Sequence, residues 1–189
     1  MGAFEYLLML AVVVLALAVS DIAISLNRLL DAGARVKWDA LAPLAALVAF
    51  LKIVTQWWSW YQARPLAKGL TFEMYVAELV GALLLFLLAA AALPSAIEGN
   101  TIDLRTYYGD VRRRYWWLFI SHWVVATGVA TWIQMQVAGA PFSPLQPGYL
   151  VLPVAISLTV IANRWWHALC LIGFSVLYLA QSFGRGIAQ

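Results

Sequence analysis

The sequence contains few charged residues. Only 11% of its 189 residues are charged and 64% are apolar, whereas soluble domains average roughly 25% charged and 45–50% apolar. A water-soluble globule of this length has no means of burying so much apolar surface. The composition therefore excludes an ordinary soluble fold and favours a chain surrounded by the hydrocarbon of a lipid bilayer.

The residues of common catalytic and metal sites are also scarce. Cys170 is the single cysteine, and His122 and His167 are the two histidines, so an internal disulfide and a cysteine-ligated metal site are excluded. No GxSxG, HExxH or GxxxxGK[ST] motif occurs. We therefore expect no catalytic residue, no metal and no cofactor, and hence no enzyme. The net charge of +3 is spread over short loops, so we expect no nucleic-acid partner.

Long apolar runs are what the sequence has in abundance. A membrane-spanning helix needs about 20 mostly apolar residues, and continuous runs such as Leu83–Leu88 differ from the alternating pattern of a membrane barrel. The sequence predicts an all-α, polytopic transmembrane bundle that forms a single domain over residues 1–189. The predicted spans cover about residues 4–26, 40–61, 72–93, 115–137, 147–163 and 165–183.

The fifth predicted span is the weakest of the six. It is short and contains Pro153, so the fifth and sixth spans could instead form one kinked or re-entrant element. The first span should be retained as a helix, because Met1–Tyr6 carries Glu5 and lacks the basic residues of a cleavable signal peptide.

Basic residues in the short loops predict the orientation of the chain. With the N-terminus outside, eight Lys and Arg residues face the cytoplasm and three face the outside. This asymmetry predicts that both termini are outside, in the periplasm of a Gram-negative cell. The eight are Arg28, Arg35, Lys37, Arg105, Arg112, Arg113, Arg114 and Arg164, and the three are Arg64, Lys68 and Arg185.

Tryptophan is unusually frequent, with ten residues. Trp57, Trp58 and Trp60 close the second predicted span, and other pairs open later spans. We interpret them as an aromatic belt at the membrane interface. A stacking pocket for a ligand is the alternative.

Four charged or histidine residues lie more than one turn inside the predicted spans, where a charge is costly without a partner. Lys52 and Glu78 come out at similar depth on neighbouring helices, so they could form an ion pair or a gate. Asp21 and His122 could form a second pair that exchanges protons. We therefore predict that these residues form buried ion pairs or a polar pathway, with purely structural pairs as the alternative.

The segment Asp103–Arg114 is the most distinctive polar stretch, and we expect it to be a loop. It contains Arg105 and ends with Arg112, Arg113 and Arg114. Basic residues beside a membrane span typically contact anionic lipid. A docking surface for a cytoplasmic partner is the alternative.

This loop, the segment Ser20–Leu29 and the segment Gln56–Trp60 carry a resemblance. The chain resembles bacterial multi-spanning inner-membrane proteins of similar length whose activity is not established. The resemblance covers most of the chain through motifs of modest specificity. It implies a multi-pass protein of a bacterial inner membrane, and it implies no mechanism.

Three functions from different classes follow, of which a membrane-embedded enzyme or cofactor binder is the least favoured. The first is a small channel or transporter for ions, protons or a small solute, acting as a homo-oligomer because a six-helix bundle of this length is thin. The second is an accessory or scaffold subunit of a larger membrane complex, with the tryptophans and the basic loop as contact surfaces. In each case the lipid bilayer is the first partner.

Overall fold

The computed structural model describes residues 3–63, 71–95, 101–136, 139 and 147–183. The described chain is mostly helical, which confirms the predicted all-α class. Short 3-10 turns lie at Gly33–Arg35 and Pro147–Leu150. The helices are α1 (Ala3–Ala32), α2 (Leu41–Ala63), α3 (Phe72–Ala92), α4 (Leu104–Gln136), α5 (Val151–Val160) and α6 (Arg164–Phe183), and the strands are β1 (Val36–Lys37) and β2 (Ile102–Asp103).

Four of these helices, α1 to α4, are long and apolar enough to cross a membrane by length and composition. The apolar parts of the other two are shorter, over Gly148–Val160 and Arg164–Ala180. The surface of the bundle is apolar as well, since Leu30, Leu87 and Val176 are all exposed. Soluble proteins rarely leave large contiguous apolar patches exposed. The bundle thus has the properties of a membrane protein.

Helix α2 lies at the centre of the bundle. Of its membrane-length segment 56% is buried, against 22% for α1, and it packs against α1, α3, α4 and α6. Its buried face is rich in alanine, with Ala42, Ala45 and Ala49 all fully buried. Small side chains let neighbouring helices approach closely. A polar residue midway along α2 is therefore removed from both lipid and bulk water.

Helix α1 lies at the periphery and presents one buried stripe. It packs mainly against α3 and to a lesser extent against α2, while α3 packs against α4 on its other side. Helix α3 thus separates α1 from α4. The stripe follows the helical spacing of three and four residues and comprises Ala11, Leu15, Ala18, Ile22, Ser25, Leu29 and Ala32.

Contacts between distant segments bring one set of helix ends together. Strands β1 and β2 pair in parallel, with Val36 opposite Ile102. Arg164 at the start of α6 forms an ion pair with Asp39 just before α2. Arg112 of α4 donates to the carbonyl of Ile161 after α5, at 3.2 Å. The end of α1, the starts of α2, α4 and α6 and the end of α5 are therefore at the same end of the bundle.

We call this the basic end, because the eight basic residues assigned to one side by the sequence all belong to its helix ends and links. Arg28 of α1 adds a further contact there by donating to the Ser95 carbonyl after α3. The opposite end, where α2 and α4 finish and α5 begins, is called the far end. The residues Arg64, Lys68 and Arg185, which we assigned to that side, lie outside the described residues.

The expected loop over Asp103–Arg114 is wrong, because nearly all of this segment is helical. Helix α4 begins at Leu104 rather than near Tyr115. The Asp103 carboxylate accepts the backbone N–H groups of Arg105 and Thr106, at 2.9 and 3.4 Å, as a helix N-cap does. With 33 residues, α4 is about 50 Å long. It exceeds the roughly 30 Å of bilayer hydrocarbon, so its basic first turns extend beyond that layer.

Helices α5 and α6 are separate, which excludes a single kinked helix, while a re-entrant arrangement of the two stays a prediction. The chain between them is not helical over residues 161–163. Asn163 caps α6, since its side-chain oxygen accepts the N–H groups of Trp165 and Trp166 at 2.9 and 3.3 Å. This N-cap chemistry starts a new helix immediately after the break.

A buried chain of hydrogen bonds joins α4 to α6 near the basic end. The Trp116 indole donates to the Tyr108 hydroxyl at 3.2 Å. That hydroxyl lies 2.8 Å from Nδ1 of His167 and donates to it. The Nε2–H of His167 then donates to the Ile161 carbonyl at 2.8 Å. Every donor in this chain has an acceptor, so His167 serves the fold.

Replacing Tyr108 by Phe should destabilise the protein. The change leaves the Trp116 N–H and His167 Nδ1 buried without a partner, which costs about 2 kcal/mol or more. Thermal unfolding in detergent should show a lower Tm. Tyr107→Phe is the matched control, because the half-buried Tyr107 hydroxyl has one bond, to the Ala91 carbonyl. An equal loss in both variants would contradict this account.

Cysteine labelling should show the two ends on opposite sides of the membrane. In a Cys170→Ser background, Arg35→Cys and Arg113→Cys should react with an impermeant maleimide from the same side. Ser59→Cys, near the far end, should react from the other. All three native residues are exposed, so reaction depends on sidedness rather than on burial. Labelling of Arg35→Cys and Arg113→Cys from different sides is the result that would contradict the fold.

Candidate functional site

Lys52 lies midway along α2 and is only 5% exposed. Its Nζ is 2.6 Å from Nδ1 of His122 on α4. It also lies over two aromatic rings, 4.7 Å from the centroid of Phe119 and 5.9 Å from that of Tyr178. Aromatic faces and an imidazole nitrogen stabilise an ammonium group without neutralising its charge. Among the residues that the structure describes, no carboxylate lies within ion-pair distance of Lys52.

The contact with Lys52 fixes the tautomer of His122. An amine is a much stronger base than an imidazole, so the shared hydrogen belongs to Lys52 and Nδ1 accepts it. The neutral ring then carries its own hydrogen on Nε2. Nε2 is buried and has no hydrogen-bond partner in the described part of the chain. His122, at 2% exposure, therefore holds an unsatisfied N–H donor, an arrangement that native proteins mostly avoid.

A cavity of about 230 Å³ lies against this pair. Its walls come from α2, α4 and α6 and from the start of α5. It extends from Ser59 and Gln62, which are exposed near the end of α2, to the buried Lys52. The ten residues from Gln62 back to Lys52 correspond to about 15 Å along the helix. The cavity therefore opens at the far end and has the lysine at its base.

The polar wall of the cavity is one stripe of α2. These residues recur at the helical spacing of three and four and share the face that lines the cavity. They are Lys52, Thr55, Gln56, Ser59 and Gln62, and we call them the α2 polar stripe. Thr55 and Ser59 donate to backbone carbonyls of their own helix, at 3.0 and 2.7 Å.

Trp58, which the sequence left open between an aromatic belt and a stacking pocket, lines the cavity. Its indole Nε1 is buried and has no acceptor among the described residues. Its ring stacks on Tyr61 at 5.3 Å between centroids. The α2 polar stripe is visible in the sequence and could have located this wall. The orientation of the Trp58 ring depends on packing and has no signature in the sequence.

The expected pairing of Lys52 with Glu78 is not found. Glu78 instead accepts hydrogen bonds from Gln56 and Trp60, at 3.1 and 2.8 Å. The reason is depth. Glu78 is six residues into α3 and Lys52 is eleven residues from the end of α2, so Glu78 lies about 7 Å nearer the far end. It therefore meets the residues one and two turns beyond the lysine.

The expected pairing of Asp21 with His122 is not found either. The reason is again depth, because Tyr107, with which Asp21 interacts, lies 15 residues before His122 on α4, about 22 Å along that helix. Asp21 is half-buried and interacts electrostatically with the Tyr107 hydroxyl. Within the described chain it forms no hydrogen bond or ion pair. Of the four ionisable residues singled out, the structure brings together Lys52 and His122.

The basic residues of α4 lie at the other end from the cavity. Arg105, Arg113 and Arg114 are exposed, and Arg112 is half-buried because it bonds the Ile161 carbonyl. Their contact with lipid or with a partner stays a prediction. Among the described residues no group of three or more His, Cys, Asp or Glu side chains is placed to hold a metal ion.

No protein-family model, curated protein or solved structure matches this chain.

A double-mutant cycle should show that the Lys52–His122 contact is not kept for stability. His122→Phe leaves the lysine amine buried without its acceptor, which should cost about 2 kcal/mol. The double variant Lys52→Met/His122→Phe removes both polar groups and should be at least as stable as the wild type. Thermal unfolding in detergent measures both.

The control for this cycle is Lys52→Met in a His167→Phe background. His167 has both ring nitrogens bonded elsewhere, so Lys52→Met should give no rescue there, as expected of independent sites. A double variant no more stable than His122→Phe alone would mean that the pair holds the fold together.

Proposed function

We propose that this protein is a small multi-pass transporter of a bacterial inner membrane, with the Lys52–His122 cavity as its solute site. The observation that carries the proposal is a buried lysine at the base of a cavity, with no carboxylate partner among the described residues. A charged side chain at the centre of a membrane helix costs about 2.5–3.5 kcal/mol even on insertion scales. Leucine would fill the same place without that cost, so a role in stability alone does not account for the lysine.

The proposal includes six spans with both termini outside. Eight basic residues belong to the basic end, and such residues favour the cytoplasmic side. The basic end is then cytoplasmic and the cavity opens to the outside. Helices α5 and α6 complete the bundle, because α5 packs against α4 and α6 packs against α2.

A barrier on the cytoplasmic side of the cavity supports a transporter rather than an open channel. Tyr115, Trp116 and Phe119 are fully buried on the turns of α4 between His122 and the basic end. The rings of Phe119 and Phe174 lie 5.3 Å apart, and those of Trp116 and Phe174 lie 5.8 Å apart. These packed rings, which we call the aromatic plug, leave a cavity open on one side only. That is the geometry expected of one state of an alternating-access cycle.

Solute entry into proteoliposomes tests the proposal. Osmotic swelling should be followed by light scattering with a panel of salts, organic acids, amino acids and sugars. At least one class should enter wild-type vesicles faster than protein-free vesicles, and Lys52→Met should abolish the difference. Methionine has a similar length without the charge, so the loss reports on the ammonium group.

Asp21→Asn is the matched control for this assay. It also removes a charge from a membrane helix, but Asp21 is remote from the cavity, so entry should be retained. The proposal fails if no class of solute enters faster than in empty vesicles. It fails equally if Lys52→Met transports as well as the wild type.

An accessory subunit of a membrane complex is the second candidate. It is favoured by exposed apolar surface at the basic end, where Trp165 is 82% exposed and Val160 is 72% exposed. Such residues could contact a partner or the lipid headgroup region. Pull-down from native membranes distinguishes the two candidates. A stoichiometric partner protein favours the subunit, and recovery of this chain alone, as a monomer or homo-oligomer, favours the transporter.

A further inference from the structure

The buried part of the cavity wall offers hydrogen-bond donors. Lys52 carries an ammonium group, His122 carries the Nε2–H, and Trp58 carries the indole N–H. The last two atoms are buried without an acceptor in the described chain. Thr55 follows Lys52 by one turn and donates to the Lys52 carbonyl, and Trp58 and Ser59 lie a further turn toward the mouth. The deep end of the cavity is thus complementary to a group that accepts hydrogen bonds.

The charge at this end is also of one sign. The Glu78 carboxylate accepts from Gln56 and Trp60, about 7 Å nearer the mouth than Lys52, and it does not bond the lysine. The cation–π contacts of Lys52 with Phe119 and Tyr178 are attractive for the ammonium group but contribute no formal negative charge. An anion beside Nζ would supply the missing charge, and such charge-assisted hydrogen bonds are the stronger kind.

The volume of the cavity and the apolar part of its wall further restrict the class of ligand that fits. The cavity, at about 230 Å³, is smaller than the roughly 300–1,000 Å³ pockets that take drug-sized ligands. Its other lining is largely apolar and includes Trp123, Val151 and Leu177. A doubly charged or highly hydroxylated solute would leave polar groups against this surface, which is unfavourable. A short hydrocarbon tail matches it.

We propose that the cavity binds a small organic monocarboxylate. The carboxylate lies at the deep end beside Lys52, with the His122 imidazole next to it, while Trp58 lines the cavity six residues, or about 9 Å along α2, nearer the mouth. The short alkyl or aryl chain lies against the apolar wall. This inference rests on the proposed function, because it names the class of solute that the same site takes.

Isothermal titration calorimetry of the purified full-length protein in detergent tests the inference with butyrate as the probe. Butyramide, of nearly the same shape but uncharged, should bind at least about tenfold more weakly, since each tenfold corresponds to about 1.4 kcal/mol. Lys52→Met should lose butyrate binding by a similar factor or more.

Arg113→Gln is the control for general attraction of anions, because it removes an exposed charge at the other end of the bundle. It should bind butyrate as the wild type does. A lysine variant that fails to fold is recognised by its thermal transition, and the comparison of butyrate with butyramide on the wild-type protein then still tests the inference. Equal binding of butyrate and butyramide overturns it. So does equal competition by chloride, which would mean a site for inorganic anions.

The outcomes also separate this inference from the proposed function. Lys52-dependent entry of a neutral or cationic solute, without butyrate binding, overturns the carboxylate and leaves the transporter standing. Lys52-dependent butyrate binding, with no solute entering proteoliposomes, supports the carboxylate site and overturns transport. Absence of both binding and entry overturns both.

Discussion

The desolvation of one ammonium group is the constraint on which the rest of the arrangement depends. Lys52 lies midway along α2, the most buried of the four membrane-length helices, and is only 5% exposed at the base of the cavity. The structure compensates with an imidazole nitrogen at 2.6 Å and two aromatic faces. These contacts hold the positive charge in place but do not balance it. The cavity beside the lysine is therefore the natural place for the counter-charge.

The same contact determines what His122 does. Because Nδ1 faces the stronger base, the ring is held as the Nε2–H tautomer, and its donor is left without an acceptor. His167 is the instructive contrast. Both of its nitrogens are bonded, one to Tyr108 and one to the Ile161 carbonyl. Two histidines at comparable burial thus have different roles, and the difference lies in whether the hydrogen-bond chain through the ring is complete.

Much of the architecture follows from composition and periodicity. Long apolar runs predict the helices, and the assignment of eight basic residues to one side agrees with the contacts that gather their helix ends. The predicted start of α4 is too late, because residues 105–114 are mostly polar and a polar stretch beside an apolar run resembles a loop. Asp103 is of a residue type favoured at helix N-caps, so the sequence does contain a signal for the start of α4. The pairings of the ionisable residues were harder to predict, because an error of about 7 Å in the estimated depth is enough to separate Glu78 from Lys52. The position of α3 between α1 and α4 is a tertiary fact without a local sequence signal.

The described lining of the cavity comes from α2, α4, α6 and the start of α5, and from neither α1 nor α3. Helices α1 and α3 pack on each other and behind α2 and α4, so they act as a buttress for the half of the bundle that holds the site. Lipid-facing positions on α1 are consequently free to adapt to bilayers of different thickness or composition without altering the chemistry at Lys52. A bundle divided in this way separates the helices that form its periphery from the helices that line the cavity.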